Sequence, residues 1–324
     1  LVRSRGLGDV YKRQAMYQGS ITDIKGIKVG CAQNYEKVTG CTAVVFDNLC
    51  TAGVDVRGGG PGTINTDILN PTTNGCVADC IILSGGSALG LESAAGAMRY
   101  LEKMGRGFDT GIKRIPMVSG AIIYDLGIGS KDAWPDVAMG YEAAKSAAAK
   151  TPQGSIGAGT GATIGKILQG KGAEKSGQGS ACIELGGGLK AAALMVVNAL
   201  GDVWDGDSIV GGLHSADGTY SDSLSMILKN TTPSGFYKNT TIGVVATNAK
   251  LTPAQAVKMA QVAHDGLAQA IKPVHTYSDG DTVFSVATGE IDAADQIDRI
   301  LAASVEAVRR AIVNAVLAAK KQHI

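Results

Sequence analysis

Residues 237–255 read "YKNTTIGVVATNAKLTPAQ". Ile242, Val244, Val245 and Ala246 give a short apolar run over Thr241–Thr247, which predicts a buried strand. Thr252-Pro253 then supplies an N-cap and a first-turn proline for a helix running through Ile271. A polar Asn239-Thr240 step therefore stands at the mouth of an apolar strand. The tetrapeptide "KNTT" also occurs at Lys229–Thr232, but Pro233 and Gly235 follow that copy and mark a turn. A threonine hydroxyl is a weak nucleophile and needs a neighbouring base. Were the Asn239–Thr240 peptide bond cut, the α-amine of Thr240 would supply one, its free pKa being about 7.7–8.0. An Asn-Thr pair more commonly serves turns and caps, so the step alone leaves both readings open.

Working outward, the chain has 324 residues, 45% hydrophobic and 18% charged, with a formal net charge of +1. That balance fits an ordinary globular core and excludes a basic footprint for nucleic acid or a like-charge block for a membrane surface. The 45 glycines are about twice the usual share and predict tight turns and close backbone approach. Six cysteines show no paired metal spacing and read as buried free thiols. No apolar run is long enough to span a bilayer. The first fifteen residues, "LVRSRGLGDVYKRQA", lack a signal-peptide core and resemble adapter read-through, so the expected natural start is Met16 and the expected location, by default, the cytoplasm.

"GIKVGCA" and "CTAVVFD" predict strands, and "TAGVDVRGGGPGT" (Thr51–Thr63) a glycine loop. "DCIILSGGSALGLESAAGAMRYLEKMG" predicts a strand, a glycine turn and a helix with Leu91, Ala94, Ala95, Met98 and Leu101 on one face. Tyr124 follows the strand run "IPMVSGAIIYDL", and Ala138–Lys150 is helical. "LKAAALMVVNALGDVWD" is a buried strand ending near Asn198, while 205–239 reads as a long polar loop. A last helix, Ala293 to Lys320, repeats Ile297, Leu301, Val305, Val308, Ile312 and Val316.

Familiar motifs fail on context. "GAGTGA" (Gly157–Ala162) matches a dinucleotide fingerprint but follows no strand, and "GATIGK" lacks both the leading glycine and the hydroxyl after Lys166 that a phosphate loop requires. The four histidines form no metal-ligand pair, and His264 reads as a satisfied mid-helix histidine. Ser87 sits in "GGSALG", yet no G-x-S-x-G elbow is present.

From Met16 to about Lys320 the chain resembles the self-cleaving L-aminopeptidase/D-esterase and β-peptidyl aminopeptidase family, which includes the nylon-oligomer (aminohexanoate oligomer) hydrolases. The resemblance rests on "VDVRGGGPGT", "LSGGSALGLESAAG", "SGAIIYDL", "GAGTGATIGK", "MVVNALGDVWD", "NTTIGVVATNAKLTPAQ" and "HTYSDGDTVF", in this order. It implies an α+β fold, an αββα four-layer sandwich similar to N-terminal nucleophile hydrolases. It also implies self-cleavage of one hydrolase domain (16–324) between Asn239 and Thr240, giving an α chain of 16–239 and a β chain of 240–324. The second "KNTT" copy is then the processing site and the first a coincidence.

Carried over residue by residue, the resemblance implies Thr240 as nucleophile and Asp279 and Asp281 as an acidic pair beside it. Asn198 is the expected oxyanion donor, Lys166 a nearby positive charge and Tyr124 a tyrosine beside the substrate. Gly85 and Gly86 are expected to line the pocket. No metal or cofactor is required; the expected partners are a small peptide or oligoamide substrate and further copies in a homotetramer. An ornithine acetyltransferase-like acyltransferase and an uncleaved, non-enzymatic binding protein are the alternative readings.

Overall fold

The computed structural model describes residues 15–229 and 239–322, without the side chain of residue 294. Residues 1–14 of the expected extension, and Asn230–Thr232 of the first "KNTT" copy, lie outside the described residues. The helices are α1 (Glu92–Lys103), α2 (Val137–Lys145), α3 (Ser223–Leu228), α4 (Pro253–Ala270) and α5 (Ile297–Lys320).

The Thr240–Ala249 strand is buried at every position. It pairs antiparallel with Leu189–Asn198 on one edge and parallel with Thr282–Ile291 on the other. With both edges and both faces covered, it has no side to present to water, so apolar residues at Ile242, Val244, Val245 and Ala246 face both ways. Parallel neighbours need a crossover, and α4 provides it. The Thr252 hydroxyl accepts from the Gln255 amide at 3.3 Å while the Gln255 side chain accepts from the Thr252 amide at 2.9 Å, a reciprocal cap that fixes where α4 starts.

Among the described residues, nine strands join in one sheet. From one edge the order is Gln178–Gly186, Leu189–Asn198, Thr240–Ala249, Thr282–Ile291, Thr39–Val56, Val77–Ser84, Val118–Ile122 and Thr63–Ile64, and Ile27–Asn34 pairs with Thr39–Val56. The 18-residue Thr39–Val56 strand is the joint. Its first half pairs with Ile27–Asn34 and Val77–Ser84, its second with Thr282–Ile291 and, at Cys50 and Thr51, still with Val77–Ser84, the register slipping between Val45 and Cys50. That irregularity lets one strand serve two layers.

Side-chain alternation then sorts residues into three cores. Met195, Val197, Val245 and Val283 pack under α4 and α5. Leu194, Val196, Val244 and Phe284 point the other way and meet Val44, Phe46, Ile81 and Leu83 between the sheet halves. Cys41, Ala43, Val45, Cys80 and Ile82 face outward against α1 and α2. The layering is αββα, as expected.

Four expectations need correction. Thr51–Val56 is strand, not loop. Its glycine is there because α4 lies on it: a Cβ at Gly53 would sit 2.6 Å from the Val257 amide nitrogen. Residues 205–239 are not one loop, since the Asp202–Asp205 and Ser208–Gly211 strands pair and α3 follows. Ala95 is exposed, and α1 buries Ser93, Ala94, Gly96, Ala97 and Leu101 instead. Helix α5 starts at Ile297 and is buried nearly all round in its last turns, so Ile297, Leu301 and Val305 lie at the margin of its buried face. All six cysteines are free, four of them buried, with Cys31 and Cys182 half-buried.

Candidate active site

The site forms where four strands end together. Sheet register sets Asn198, the last residue of its strand, opposite Thr240, the first of its own. A bridge pairs Asn239 with Asp279 from the loop ahead of the Thr282–Ile291 strand. The carbonyl oxygen of Asn239 accepts from the Gly280 amide at 3.0 Å and from the Thr240 hydroxyl. Asn239 and Thr240 are each 3% exposed, and neither polar atom of the Asn239 side-chain amide has a hydrogen-bond partner among the described residues. A buried polar group left unpaired costs about 1–3 kcal/mol.

The two aspartates belong to one tight turn. Asp279 accepts from the Thr276 amide at 2.8 Å and from its hydroxyl at 2.6 Å. Burial, reinforced by the charge of Asp281, pushes the Asp279 carboxyl up to about 6. Asp281 accepts from the Thr241 amide at 2.6 Å through one oxygen, and from His275 through the other. The "RGGG" loop clamps this turn from outside: the amides of Arg57 and Gly58 donate to the Asp281 carbonyl, and that of Gly60 to the Asp279 carbonyl. A Cβ at Gly58 would lie 2.2 Å from the Asp279 carbonyl oxygen, so only glycine allows this approach.

On the other side, Lys166 donates from Nζ to the Asn198 carbonyl at 2.8 Å and to its Oδ1 at 2.7 Å. Oδ1 also accepts from the Thr163 amide at 3.1 Å, and Nδ2 donates to the Tyr124 carbonyl at 3.1 Å. Tyr124 is thus joined to the site through its backbone. One Nδ2 hydrogen of Asn198 remains for a second acceptor. Burial lowers the Lys166 ammonium to about 7, against the pull of Asp279, Asp281 and Asp125.

The amides of Gly85 and Gly86 are already engaged: Gly85 donates to the Gly40 carbonyl at 2.9 Å and Gly86 to the buried Asp125 at 2.7 Å. This fixes the loop's shape and leaves neither N–H to a substrate. "GAGTGA" is a buried 3-10 turn, Gly157–Gly161.

The structure therefore brings Thr240, Asn239, Asn198, Lys166, Asp279 and Asp281 together. The sequence reading missed Gly280, Thr241, Thr276 and His275. His275 lies in "HTYSDGD", six positions before Asp281, a spacing that does not by itself pair the two. Among the described residues, no cluster of three His, Cys, Asp or Glu could hold a metal ion.

Solved structures share this architecture. The L-aminopeptidase D-Ala-esterase/amidase of Ochrobactrum anthropi, described as a variant of the Ntn hydrolase fold, superposes with a TM-score of 0.72 at 20% identity, over 94% of this chain and 88% of its own. A Burkholderia β-aminopeptidase gives a TM-score of 0.66 at 22% identity, over 93% and 87%. The class is thus the Ntn hydrolase fold.

The profile of peptidase family S58 matches residues 19–323, and the chain belongs to that family, hydrolases of peptide or other amide bonds. A Mycobacterium tuberculosis protein named as an uncharacterized aminopeptidase is 37% identical over 291 residues, 84% of this chain and 82% of its own length. The 6-aminohexanoate-oligomer endohydrolase of a Kocuria species is 33% identical over 281 residues, 83% and 75%.

Proposed function

We propose that the protein cuts itself at Asn239–Thr240 and then hydrolyses small amides with Thr240 as nucleophile. One observation carries this reading. The Asn239 carbonyl is held by the Gly280 amide and touched by the Thr240 hydroxyl, in a buried cluster with acid–base groups poised near neutral pH.

In the first step Thr240 Oγ1 bonds to the Asn239 carbonyl carbon and loses its proton. The C–N bond breaks, and the nitrogen leaves protonated as the Thr240 α-amine. Water then hydrolyses the Asn239–Thr240 ester, giving a carboxylate on Asn239 and restoring the hydroxyl. Asp279 and Lys166 are the groups suited to move these protons, since each changes charge near neutrality. At 3% exposure Thr240 admits no substrate before this event. Departure of the Asn239 end opens the site.

In turnover, Oγ1 attacks the substrate carbonyl while the α-amine takes its proton and passes it to the leaving amine. The remaining Nδ2 hydrogen of Asn198 meets the oxyanion. Water releases the acyl group as a carboxylate. The substrate class is short peptides or linear oligoamides, in keeping with the relatives' names of aminopeptidase and 6-aminohexanoate-oligomer endohydrolase. The family resemblance further implies one self-cleaved domain over 16–324, a homotetramer and a cytoplasmic setting.

Intact-mass analysis tests the proposal. A fragment of 85 residues, 240–324, is expected from the wild type and not from Thr240→Ala. An amino-acid p-nitroanilide, a β-alanyl dipeptide and a linear aminohexanoate oligomer then rank the substrates. Hydrolysis by uncut Thr240→Ala would reject the mechanism.

A further inference from the structure

A line of contacts runs from the acidic turn away from the nucleophile and uses two histidines. His275 Nδ1 lies 2.8 Å from Asp281 Oδ2, and the His275 backbone amide donates to the same oxygen at 3.2 Å. A carboxylate only accepts, so Nδ1 carries the hydrogen in either charge state of the ring. The His275 ring packs edge-on against His264 of α4, centroids 4.8 Å apart. His264 is fully buried, and its Nε2 lies 3.1 Å from the Asp55 carbonyl oxygen. Burial holds the His264 imidazole neutral, down to about 4. It therefore braces the neighbouring ring without adding charge.

His275 also occupies the left-handed region, with φ +54°. Histidine, asparagine and aspartate are the side chains most tolerated there after glycine. That backbone turn lets the ring nitrogen and the amide of one residue converge on one carboxylate oxygen. The other oxygen holds the Thr241 amide at 2.6 Å, one residue from the nucleophile.

We infer that His275 is a positioning residue: braced by His264, it fixes the Asp281 carboxylate so that its second oxygen grips the Thr241 amide and aims Thr240. The inference rests on Thr240 being the nucleophile. It gives a role to His275, which stands at the head of "HTYSDGDTVF" and to which the resemblance assigns none.

Two variants separate the hydrogen bond from the backbone geometry. His275→Asn tolerates the left-handed φ and places an amide N–H where Nδ1 stood. His275→Gly tolerates the same φ and removes the donor. Each is followed for self-cleavage by gel, for kcat and KM on a p-nitroanilide, and for melting temperature, with Thr240→Ala alongside. His275→Asn should stay within about threefold of wild type in both reactions, while His275→Gly should lose at least about tenfold in kcat and in cleavage rate with KM little changed, as expected for a misaimed nucleophile. The inference fails if His275→Gly matches wild type, or if His275→Asn loses as much as His275→Gly. In either case an inert Thr240→Ala leaves the nucleophile assignment standing. Activity in Thr240→Ala would overturn that assignment instead.

Discussion

Asn198 and Thr240 face each other as register partners at the ends of two antiparallel strands, so the proposed oxyanion donor and nucleophile are set by sheet pairing and not by loops. Asn198→Ala is expected to lower kcat by about 10²–10³-fold, the usual cost of one oxyanion donor. Thr240→Ser should still process. Steady-state kinetics on purified variants check both, and an Asn198→Ala enzyme with wild-type kcat would move the oxyanion site elsewhere.

Among the described residues the Asn239 side chain makes no hydrogen bond, whereas its carbonyl makes two. Asn239→Ala is therefore expected to cleave within about tenfold of the wild-type rate, since no catalytic contact and at most an unpaired buried amide is removed. A time course on denaturing gels measures this. An Asn239→Ala chain that never cuts would point to attack by the asparagine side chain itself.

Gly58 lies so close to the acidic turn that Gly58→Ala brings a methyl to 2.2 Å from the Asp279 carbonyl oxygen. Backbone cannot yield as a flexible side chain would, so the turn must shift. Cleavage and turnover should both fall by about 10²-fold, the cost of misplacing reacting groups by roughly 1 Å. Far-ultraviolet circular dichroism should remain native, which separates this local effect from misfolding.

Two buried groups give the uncut chain a defined pH dependence, best measured on Thr240→Ala. Asp279 rises from 3.8 to about 6, so the folded state holds the extra proton, and stability falls as pH climbs through that window. Lys166 falls from 10.5 to about 7, so the unfolded state holds the extra proton, and stability rises between pH 7 and 10. At 1.36 kcal/mol per unit these bound the effects at about 3 and about 5 kcal/mol. Denaturant titrations should show Asp279→Asn flattening the acidic slope and Lys166→Met the alkaline one. Unchanged slopes would mean that neither group is desolvated.

Much of this was legible in the sequence where the signal is local. The apolar run after Thr240 and the Thr252-Pro253 cap each report one element, and both elements are in place. The strand ending at Asn198 is defined by its own apolar residues, but the oxyanion role of Asn198 came from the family resemblance. Gly53 misled because a glycine accommodating a helix backbone reads the same as a glycine in a loop. The partnership of His275 and Asp281 depends on a left-handed turn and on α4 supporting the ring, neither of which a six-residue spacing reveals. The engaged amides of Gly85 and Gly86 needed Asp125 and Gly40 to be brought beside them.

The Thr240–Ala249 and Thr282–Ile291 strands sit inside the sheet, between Leu189–Asn198 and Thr39–Val56, and the segment that carries them also carries α4 and α5. Were the backbone cut as proposed, the two pieces would form a heterodimer whose interface is the protein's own interior. Melting would then be a dissociation, and its midpoint should climb with protein concentration. The intact Thr240→Ala precursor, a single covalent chain, should melt with less dependence on dilution.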